Sequence, residues 1–312
     1  MTNSNINYFK TIYKKCNLCP RNCNANRFEN KNNFCKIDEK FHIASITTHT
    51  GEEPVLSGEK GVCNIFFMHC NLQCIYCQNY QISRNHSSDN NNILSLKQII
   101  DKITGILDTG VTHVGFVSPS HQILQMVEII NELHRLKYFP VIIYNSNGYD
   151  KVSTLKFIEP LIDVYLPDFK YSDDTLAEKY SNAPQYNEIA TNALSEMIRQ
   201  KGTRLLVNQN GLATKGVIVR HLILPNHLEN SLGVLKHIRE NFGQDITLSV
   251  MSQYFPPTPV KKHKALGRQL TQEEHQLILS KIDELGFNNG FIQELESANH
   301  YLPDFSKSNP FE

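Results

Sequence analysis

An α/β fold with a parallel sheet is the architecture that this sequence predicts. Short apolar runs alternate with amphipathic helical segments between residues 64 and 286. Such alternation is typical of parallel strands joined by right-handed crossovers, in a sheet that is either open or rolled into part of a barrel. With 312 residues, the chain is long enough for one such domain and a small appendage.

Six apolar runs are predicted to be buried strands, each followed by polar or helical sequence. They are NIFFMH (64–69), HVGFV (113–117), PVIIYN (140–145), LIDVYL (161–166), GVIVRHLIL (216–224) and DITLSV (245–250). They define six β/α units in series. In parallel sheets of this kind, functional residues collect at the carboxyl ends of the strands.

Two helices are marked by capping signals. Ser95 and Gln98 have the spacing of a capping box, which predicts a helix that begins between them. Thr271 and Glu274 repeat this spacing at the start of the last predicted helix, which we expect to end near Gly286.

Charge and composition exclude several classes of partner. Lys plus Arg and Asp plus Glu number 31 each, so no overall charge draws the chain to nucleic acid or to acidic membranes. The first residues, MTNSNINYFKTIYKK, lack the apolar core of a signal peptide, and no stretch approaches the roughly 18 apolar residues of a spanning helix. We therefore expect a cytoplasmic protein without a nucleic-acid or membrane partner.

The eight cysteines all precede residue 78 and divide into a quartet, a triplet and one single residue. In a reducing compartment, closely spaced cysteines indicate metal or cluster binding rather than disulfides. The triplet is Cys70, Cys74 and Cys77, in CNLQCIYC directly after the first predicted strand. A closed zinc or cluster site normally takes four protein ligands, so three cysteines leave one coordination position open.

The quartet is formed by CNLCPRNC and one more distant cysteine, and its members are Cys16, Cys19, Cys23 and Cys35. Four thiolates suit either a structural Zn²⁺ or a second [4Fe-4S] cluster, and the spacing leaves both open. The single residue is Cys63, at the start of the first strand and roughly 23 Å from Cys70 along the extended chain. We expect it to be a buried structural thiol.

Polar residues recur where the predicted strands end. The segments are SPSH (118–121), NSNG (145–148), PDFK (167–170), Arg220 with LPN (224–226), and SQY (252–254). Loops are commonly polar, so a single segment of this kind indicates little. Five of them on the same rim as the cysteine triplet favour a functional site.

The full set of motifs resembles a known family. The motifs are CNLCPRNC, GEEPVLSG, IFFMHCNLQCIYCQNYQIS, YNSNGY, YLPDFKY, VRHLILP and MSQY. Together they resemble the radical S-adenosylmethionine (SAM) superfamily, and within it the PflX-type family related to pyruvate formate-lyase activating enzyme. The resemblance covers essentially residues 16–290. It implies a partial (β/α)6 TIM-like barrel over residues 61–294, with a Cys-rich N-terminal extension (1–60) and a C-terminal tail (295–312).

The resemblance also implies the chemistry. Cys70, Cys74 and Cys77 would hold three irons of a [4Fe-4S] cluster, and the amino and carboxylate groups of SAM would chelate the fourth. One electron from the cluster would cleave SAM to a 5′-deoxyadenosyl radical, which abstracts hydrogen from a substrate. Tyr76 matches the aromatic residue that packs near adenine, although a buried core tyrosine is the alternative.

The polar strand ends acquire roles from the same resemblance. Lys170 and Arg220 are candidates to pair with the methionyl carboxylate, and a structural ion pair with Asp168 or with the helices is the alternative. Asp168, Asn145 and Ser146 offer oxygen ligands for a monovalent cation beside SAM. A Gly-Gly-Glu motif that meets the SAM amino group in the family is absent here. The candidates to replace it are Ser118, Ser120 and His121, of which His121 is alternatively a surface residue.

Three classes of function follow. The first is an enzyme that makes a radical on a partner, including a glycyl radical on another protein, with an electron donor such as flavodoxin or ferredoxin. The second is a radical SAM enzyme that acts on a small molecule or a peptide. The third is a non-enzymatic zinc or iron-sulfur protein, which neutral charge and the lack of interleaved basic and aromatic residues disfavour as an RNA binder.

Overall fold

The sheet is built from the β-branched and aromatic runs that the sequence predicts to be strands. A computed structural model describes residues 11–29, 33–85, 93–299 and 302–311. Its strands, in chain order, are β1 (Phe41–His49), β2 (Val62–Phe67), β3 (Ile93–Leu94), β4 (His113–Val117), β5 (Val141–Ser146), β6 (Val164–Pro167), β7 (Leu206–Val207), β8 (Ala213–Leu222), β9 (Thr247–Met251) and β10 (Gly290–Ile292).

The α/β prediction is confirmed. All six predicted strands form, as β2, β4, β5, β6, β8 and β9, and their ends lie within three residues of the predicted ones. The order across the sheet is β10-β9-β8-β6-β5-β4-β2-β1-β3. Every neighbouring pair from β2 to β10 along this path is parallel. The carboxyl ends of these strands therefore lie along one edge of the sheet.

One strand begins inside the predicted N-terminal extension of residues 1–60. Strand β1 pairs antiparallel with β2, with Thr48 opposite Cys63, and β3 pairs antiparallel with β1. The sheet thus starts about twenty residues before the predicted boundary at residue 61. Cys63 is completely buried in β2, which confirms the prediction that it is an interior thiol.

The helices from Leu96 onward pack on the outer face of the sheet, whereas the short helix that contains Leu56 packs on the inner apolar cluster. They are α1 (Pro54–Ser57), α2 (Tyr80–Ser83), α3 (Leu96–Leu107), α4 (Ile123–Arg135), α5 (Val152–Ile158), α6 (Asp174–Ser181), α7 (Tyr186–Lys201), α8 (Leu228–Phe242) and α9 (Gln272–Glu284). Both predicted capping boxes are present, at Ser95 before α3 and at Thr271 before α9. Within the described segments, no helix is both long and apolar enough to cross a membrane.

The C-terminal segment packs against the first strands. The ring of Phe311 lies 4.0 Å from that of His49 and 5.7 Å from that of Phe66, measured between centroids. Phe305 meets Phe66 edge-on at 5.3 Å. The described part of the predicted C-terminal tail is therefore docked on the barrel and covers the end of β2.

The two faces of the sheet have different surroundings, because successive side chains on a strand point in opposite directions. On β5, Tyr144 points outward into the large core shared with the helices. Its neighbour Ile143 points inward into a small apolar cluster, and two residues later Asn145 lines a cavity. On β8, Ile218 and Arg220 repeat this arrangement. The inner face is apolar towards the strands' amino ends and polar towards their carboxyl ends.

Candidate active site

A cavity of about 680 Å³ opens at the carboxyl ends of the parallel strands. Its size is typical of a pocket for a small molecule or cofactor. The side chains that reach it from the strand ends are Phe66, Val117, Asn145, Asp168, Arg220, Leu222, Ser249 and Met251. The loop after β2 contributes the cysteine triplet, so the rim predicted from the sequence is a single site.

All three triplet cysteines line this cavity. Each sulfur accepts a hydrogen bond from a polar group of the protein. The donors are Asn147 Nδ2 to Cys70 at 3.4 Å, Ser181 Oγ to Cys74 at 2.9 Å and Ser83 Oγ to Cys77 at 3.3 Å. Donors directed at sulfur stabilise thiolate ligands and tune a bound iron-sulfur cluster, so this donor set fits such a group.

Burial affects the protonation of two triplet cysteines, Cys70 and Cys74. Burial raises the pKa of the Cys70 thiol to about 12, and the nearby Cys74 sulfur adds to this effect. Burial also raises the pKa of Cys74 to about 11, while Lys170 acts in the opposite direction. Iron binds the thiolate, so loading of the site releases protons and is favoured by rising pH.

Lys170 and Asp168 form an ion pair at the cavity wall, with Nζ and Oδ2 2.5 Å apart. Burial acts to lower the pKa of Lys170, but the Asp168 carboxylate and the Cys74 sulfur outweigh it, so the pKa is raised and the ammonium is charged. A cation therefore lies at the cavity wall near the triplet. The structural ion pair with Asp168 that the sequence left as an alternative is present.

Arg220 lines the cavity, but its guanidinium is occupied by two carboxylates. Its Nε donates to Glu53 Oε1 at 2.8 Å, and a second nitrogen donates to Glu53 Oε2 at 2.5 Å and to Glu52. All three side chains are about nine-tenths buried. Arg220 is thus the centre of a buried ionic group rather than a free cation at the rim.

The site residues Glu52 and Glu53 were not predicted from the sequence. They lie in GEEPVLSG, between β1 and β2, and reach Arg220 on the far side of the cavity. Asn64 Nδ2 donates to Glu52 at 2.7 Å from the inner face of β2. Gly115 on the adjacent strand gives Asn64 room, because a Cβ there would lie 2.2 Å from its Oδ1. A buried Asn among apolar strand residues was the available signal.

Tyr76 is buried at the cavity wall beside the triplet. The Tyr76 hydroxyl lies 2.7 Å from the Tyr171 hydroxyl, and the Tyr171 hydroxyl lies 2.6 Å from Ser181 Oγ. Ser181 Oγ is the group that donates to Cys74. The Tyr76 ring also meets Tyr254 edge-on at 6.3 Å. A chain of hydroxyl groups therefore connects the predicted adenine-side aromatic residue to a cysteine sulfur.

Asn145 and Ser118 line the cavity, as predicted. Ser118 follows β4 with a left-handed backbone (φ 52°), and its N–H donates to Asn145 O at 2.7 Å. Gly148 closes the next loop at φ 80°, where a Cβ would lie 2.2 Å from Asp168 O. This loop therefore requires glycine to pass close to the end of β6.

Three predicted cofactor-binding residues, Ser146, Ser120 and His121, lie outside the lining of the cavity. Ser146 is one residue past Asn145, so its side chain points to the outer face and donates to Asp150. Ser120 accepts a hydrogen bond from Tyr144 at 3.4 Å, also on the outer side. His121 is buried, contrary to its alternative as a surface residue, and its Nε2 lies 2.8 Å from Met68 O.

The quartet cysteines come together around a second, much smaller cavity, with Arg21, Arg27, Phe34, Asn71 and His121. The Cys16 and Cys23 sulfurs are close enough to share a hydrogen bond, which raises the pKa of Cys16 and lowers that of Cys23 to about 5. Among the residues described, no group of three or more His, Cys, Asp or Glu side chains was found that could hold a single metal ion.

Comparison with known proteins identifies relatives of this chain. Residues 56–187, which include the triplet but not the quartet, match the family described as a 4Fe-4S single cluster domain. An uncharacterised protein of Methanocaldococcus jannaschii is 31% identical over 271 residues, which cover 85% of this chain and 73% of that protein.

Two solved structures are similar to this chain. Methylornithine synthase (PylB) matches with a TM-score of 0.51 and 18% identity, over 74% of this chain and 63% of that one. This likeness confirms the predicted TIM-like partial barrel. HydG, a maturase of the [FeFe]-hydrogenase, gives a TM-score of 0.49 and 16% identity, over 72% of this chain and 49% of its own. The chain thus spans about half to two thirds of the length of these two structures.

Proposed function

We propose that this chain, which belongs to one family with the uncharacterised protein of Methanocaldococcus jannaschii, is a radical SAM enzyme that cleaves SAM reductively at a [4Fe-4S] cluster held by Cys70, Cys74 and Cys77. One observation carries this proposal: three cysteines, each with a donor to its sulfur, converge on the wall of a cavity large enough for a cofactor. Three ligands leave one iron for SAM. The chemistry that this pair supplies is one-electron cleavage of SAM to methionine and a 5′-deoxyadenosyl radical.

The residues of the cavity wall have distinct tasks in this proposal. Lys170 holds a buried positive charge that suits the methionyl carboxylate of SAM. The ring of Tyr76 packs against the adenine of SAM. The side-chain oxygens of Asp168, Asn145 and Ser118 bind the other polar groups of SAM or a monovalent cation beside it. Arg220 contributes through Glu52 and Glu53, whose combined charge exceeds its own, so this side of the cavity is acidic.

The reaction partner that we propose first is a protein glycine, as for the PflX-type family that the motifs resemble. A small-molecule or peptide substrate is the second candidate. It is favoured by the C-terminal segment, because Pro303 and Phe311 line the cavity and Phe311 packs against Phe66 there. We further propose an electron donor such as flavodoxin or ferredoxin, a cytoplasmic location that keeps the thiols reduced, and a second cluster or Zn²⁺ at the quartet.

The test is SAM cleavage by the anaerobically reconstituted protein. With SAM and dithionite, we expect 5′-deoxyadenosine and methionine in equal amounts, measured by chromatography. Absence of both products in protein with a verified triplet cluster would refute the proposal. A glycine-centred electron paramagnetic resonance (EPR) signal on a candidate partner protein separates the first substrate class from the second.

The hydrogen bond from Ser181 to Cys74 gives a further expected result. Ser181→Ala removes a donor that stabilises the more negative, reduced cluster, so the reduction potential should fall by an amount on the order of tens of millivolts. An EPR-monitored redox titration measures this. The matched control is Ser195→Ala, an exposed serine whose hydroxyl donates to Thr191 O of its own helix, and it should leave the potential unchanged. Equal potentials in Ser181→Ala and wild type would contradict the expectation.

A further inference from the structure

Arg27 is a completely buried cation beside the quartet. Its guanidinium donates to His121 O at 2.7 Å and to Cys35 Sγ at 3.6 Å, and its carbon lies 4.4 Å from the centre of the Tyr13 ring. Its Nε has no hydrogen-bond partner, and no carboxylate of the described residues forms an ion pair with it. A buried charge without a counter-ion costs several kcal/mol, so negative charge must lie close by.

The quartet is the group that can supply this negative charge. Tyr13 is excluded because its hydroxyl donates to Gln125 Oε1 at 2.7 Å and is therefore protonated. Four thiolates around a doubly charged metal group carry a net charge of about −2, whether the group is Zn²⁺ or an oxidised [4Fe-4S] cluster. Arg27 therefore indicates a loaded, anionic quartet, and a second observation is needed to decide between the two groups.

The second observation concerns the residues between the quartet and the triplet, which we call the wall and which include Asn71. Asn71 lines the quartet cavity and directly follows Cys70 in the chain. Its side-chain oxygen accepts from Asn147 Nδ2 at 2.7 Å, and the same nitrogen donates to Cys70 Sγ at 3.4 Å. Asn71 thus lines the quartet cavity and shares a hydrogen-bond donor with a triplet cysteine.

A second guanidinium lies across this wall. Arg21 Nε donates to Asn71 O at 2.8 Å, and its guanidinium carbon lies 3.9 Å from the centre of the Phe34 ring and 5.0 Å from that of Tyr149. Arg21 interacts electrostatically with Cys19 of the quartet and with Cys70 and Cys74 of the triplet. One cation therefore lies within electrostatic range of cysteines of both sites.

We propose that the quartet holds a [4Fe-4S] cluster through which single electrons reach the triplet site across Arg21 and Asn71. This inference rests on the proposed function, because the triplet requires an electron only if SAM is cleaved. The electron source is a reduced low-potential carrier protein with a flavin or an iron-sulfur centre. The carrier loses one electron, the triplet gains one, and the quartet returns to its starting state. Zinc satisfies the charge of Arg27 equally well but cannot accept an electron.

Metal analysis of the wild-type protein is the first test. After anaerobic reconstitution, we expect about eight irons per chain and two reducible centres in an EPR titration. About four irons with about one zinc in protein purified anaerobically would overturn the inference. Cleavage of SAM by such zinc-containing protein would leave the proposed function intact. Eight irons without SAM cleavage under dithionite would refute the proposed function but leave the cluster assignment standing.

A variant then assigns the second cluster to the quartet. Cys16→Ser with Cys19→Ser should lower iron to about four per chain, because two remaining thiolates bind a cluster poorly. The matched control is Cys63→Ala, a buried cysteine in neither set, which should keep all the iron. We expect the ratio of carrier-driven to dithionite-driven 5′-deoxyadenosine formation to fall at least tenfold in the double variant. Iron that stays at eight, or an unchanged ratio, would overturn the proposal.

Substitution of Arg21 tests the wall and leaves all seven ligand cysteines in place. Arg21→Leu removes the shared cation, so the quartet centre should become harder to reduce, and Arg21→Lys should restore most of the potential. A potential that is the same in all three proteins would contradict a role for Arg21 between the sites. This readout does not depend on the double cysteine variant folding.

Discussion

Cys74→Ala is expected to abolish the formation of 5′-deoxyadenosine from SAM. The Cys74 sulfur lines the cavity, lies between the other two triplet cysteines in the chain, and accepts the Ser181 hydrogen bond. Two cysteines cannot hold three irons of a cluster, so the variant should lose both the cluster and the iron that binds SAM. Product formation should fall to the level of a control without protein, measured by chromatography after reaction with dithionite.

The matched control for this variant is again Cys63→Ala. Cys63 is buried in β2, and burial alone raises the pKa of its thiol to about 12, which is typical of a structural thiol. This variant should retain the cluster and SAM cleavage. Turnover by Cys74→Ala at the wild-type rate would refute the assignment of the triplet, whereas equal losses in both variants would trace the effect to folding.

Local sequence signals were sufficient for most of the fold. The strand and helix patterns and both capping boxes depend on residues close together in the chain, and each was found where it was predicted. Strand β1 was missed because it pairs antiparallel at the side of a parallel series, within a segment that the cysteine quartet marks as an extension. Its place in the sheet depends on β2, which follows it.

The site was predicted in part, and strand geometry explains the division. Asn145, Asp168 and Arg220 share the inner face with the cavity, and all three reach it. Ser146 does not, because a shift of one residue along a strand moves the side chain to the opposite face. When all residues of a polar motif such as NSNG are assigned to one site, the assignment ignores that neighbouring side chains lie on opposite faces of the sheet.

Contacts between distant segments could not be predicted from local patterns. Arg220 and Glu53 are 167 residues apart, so the ion pair follows only from the closure of the sheet. The contact of the quartet with the triplet is of the same kind, since Arg21 and Asn71 are 50 residues apart. Their chemistry was visible in the sequence, but their partners were not.

Arg220 leads to the second large effect, on stability. Arg220→Ala leaves Glu52 and Glu53 buried without their cation, and removal of one partner from a buried ionic group typically costs about 3–5 kcal/mol. We therefore expect the free energy of unfolding to fall by about this amount at pH 7, measured by urea denaturation. The matched control is Arg204→Ala, whose ion pair with Asp245 is largely exposed and should be worth less than about 1 kcal/mol.

The effect should depend on pH with a definite sign. Burial acts to raise the pKa of Glu52, but Arg220, together with His49 and the hydrogen bond from Asn64, outweighs it, so the pKa is lowered in the folded protein. A lowered carboxyl pKa contributes stability above its unfolded value of about 4.3, and this contribution is lost as pH falls through the folded value. In Arg220→Ala the counter-ion is gone and burial dominates. The stability difference between wild type and variant should therefore be largest near pH 7 and shrink below about pH 5.

A charge-free variant separates the ionic group from the direct role in SAM binding that the sequence predicts for Arg220. In Arg220→Gln combined with Glu52→Gln and Glu53→Gln, no buried charge is left uncompensated, so most of the lost stability should return.

If Arg220 instead binds the methionyl carboxylate, Arg220→Ala should lose less than about 1 kcal/mol of stability. Its affinity for SAM should then weaken by about 1.5–3 kcal/mol in isothermal titration, the range of a charge-assisted hydrogen bond. If Arg220→Ala is stable but binds SAM more weakly, the guanidinium of Arg220 binds the cofactor. If Arg220→Ala is unstable, the guanidinium acts mainly as the counter-ion of Glu52 and Glu53.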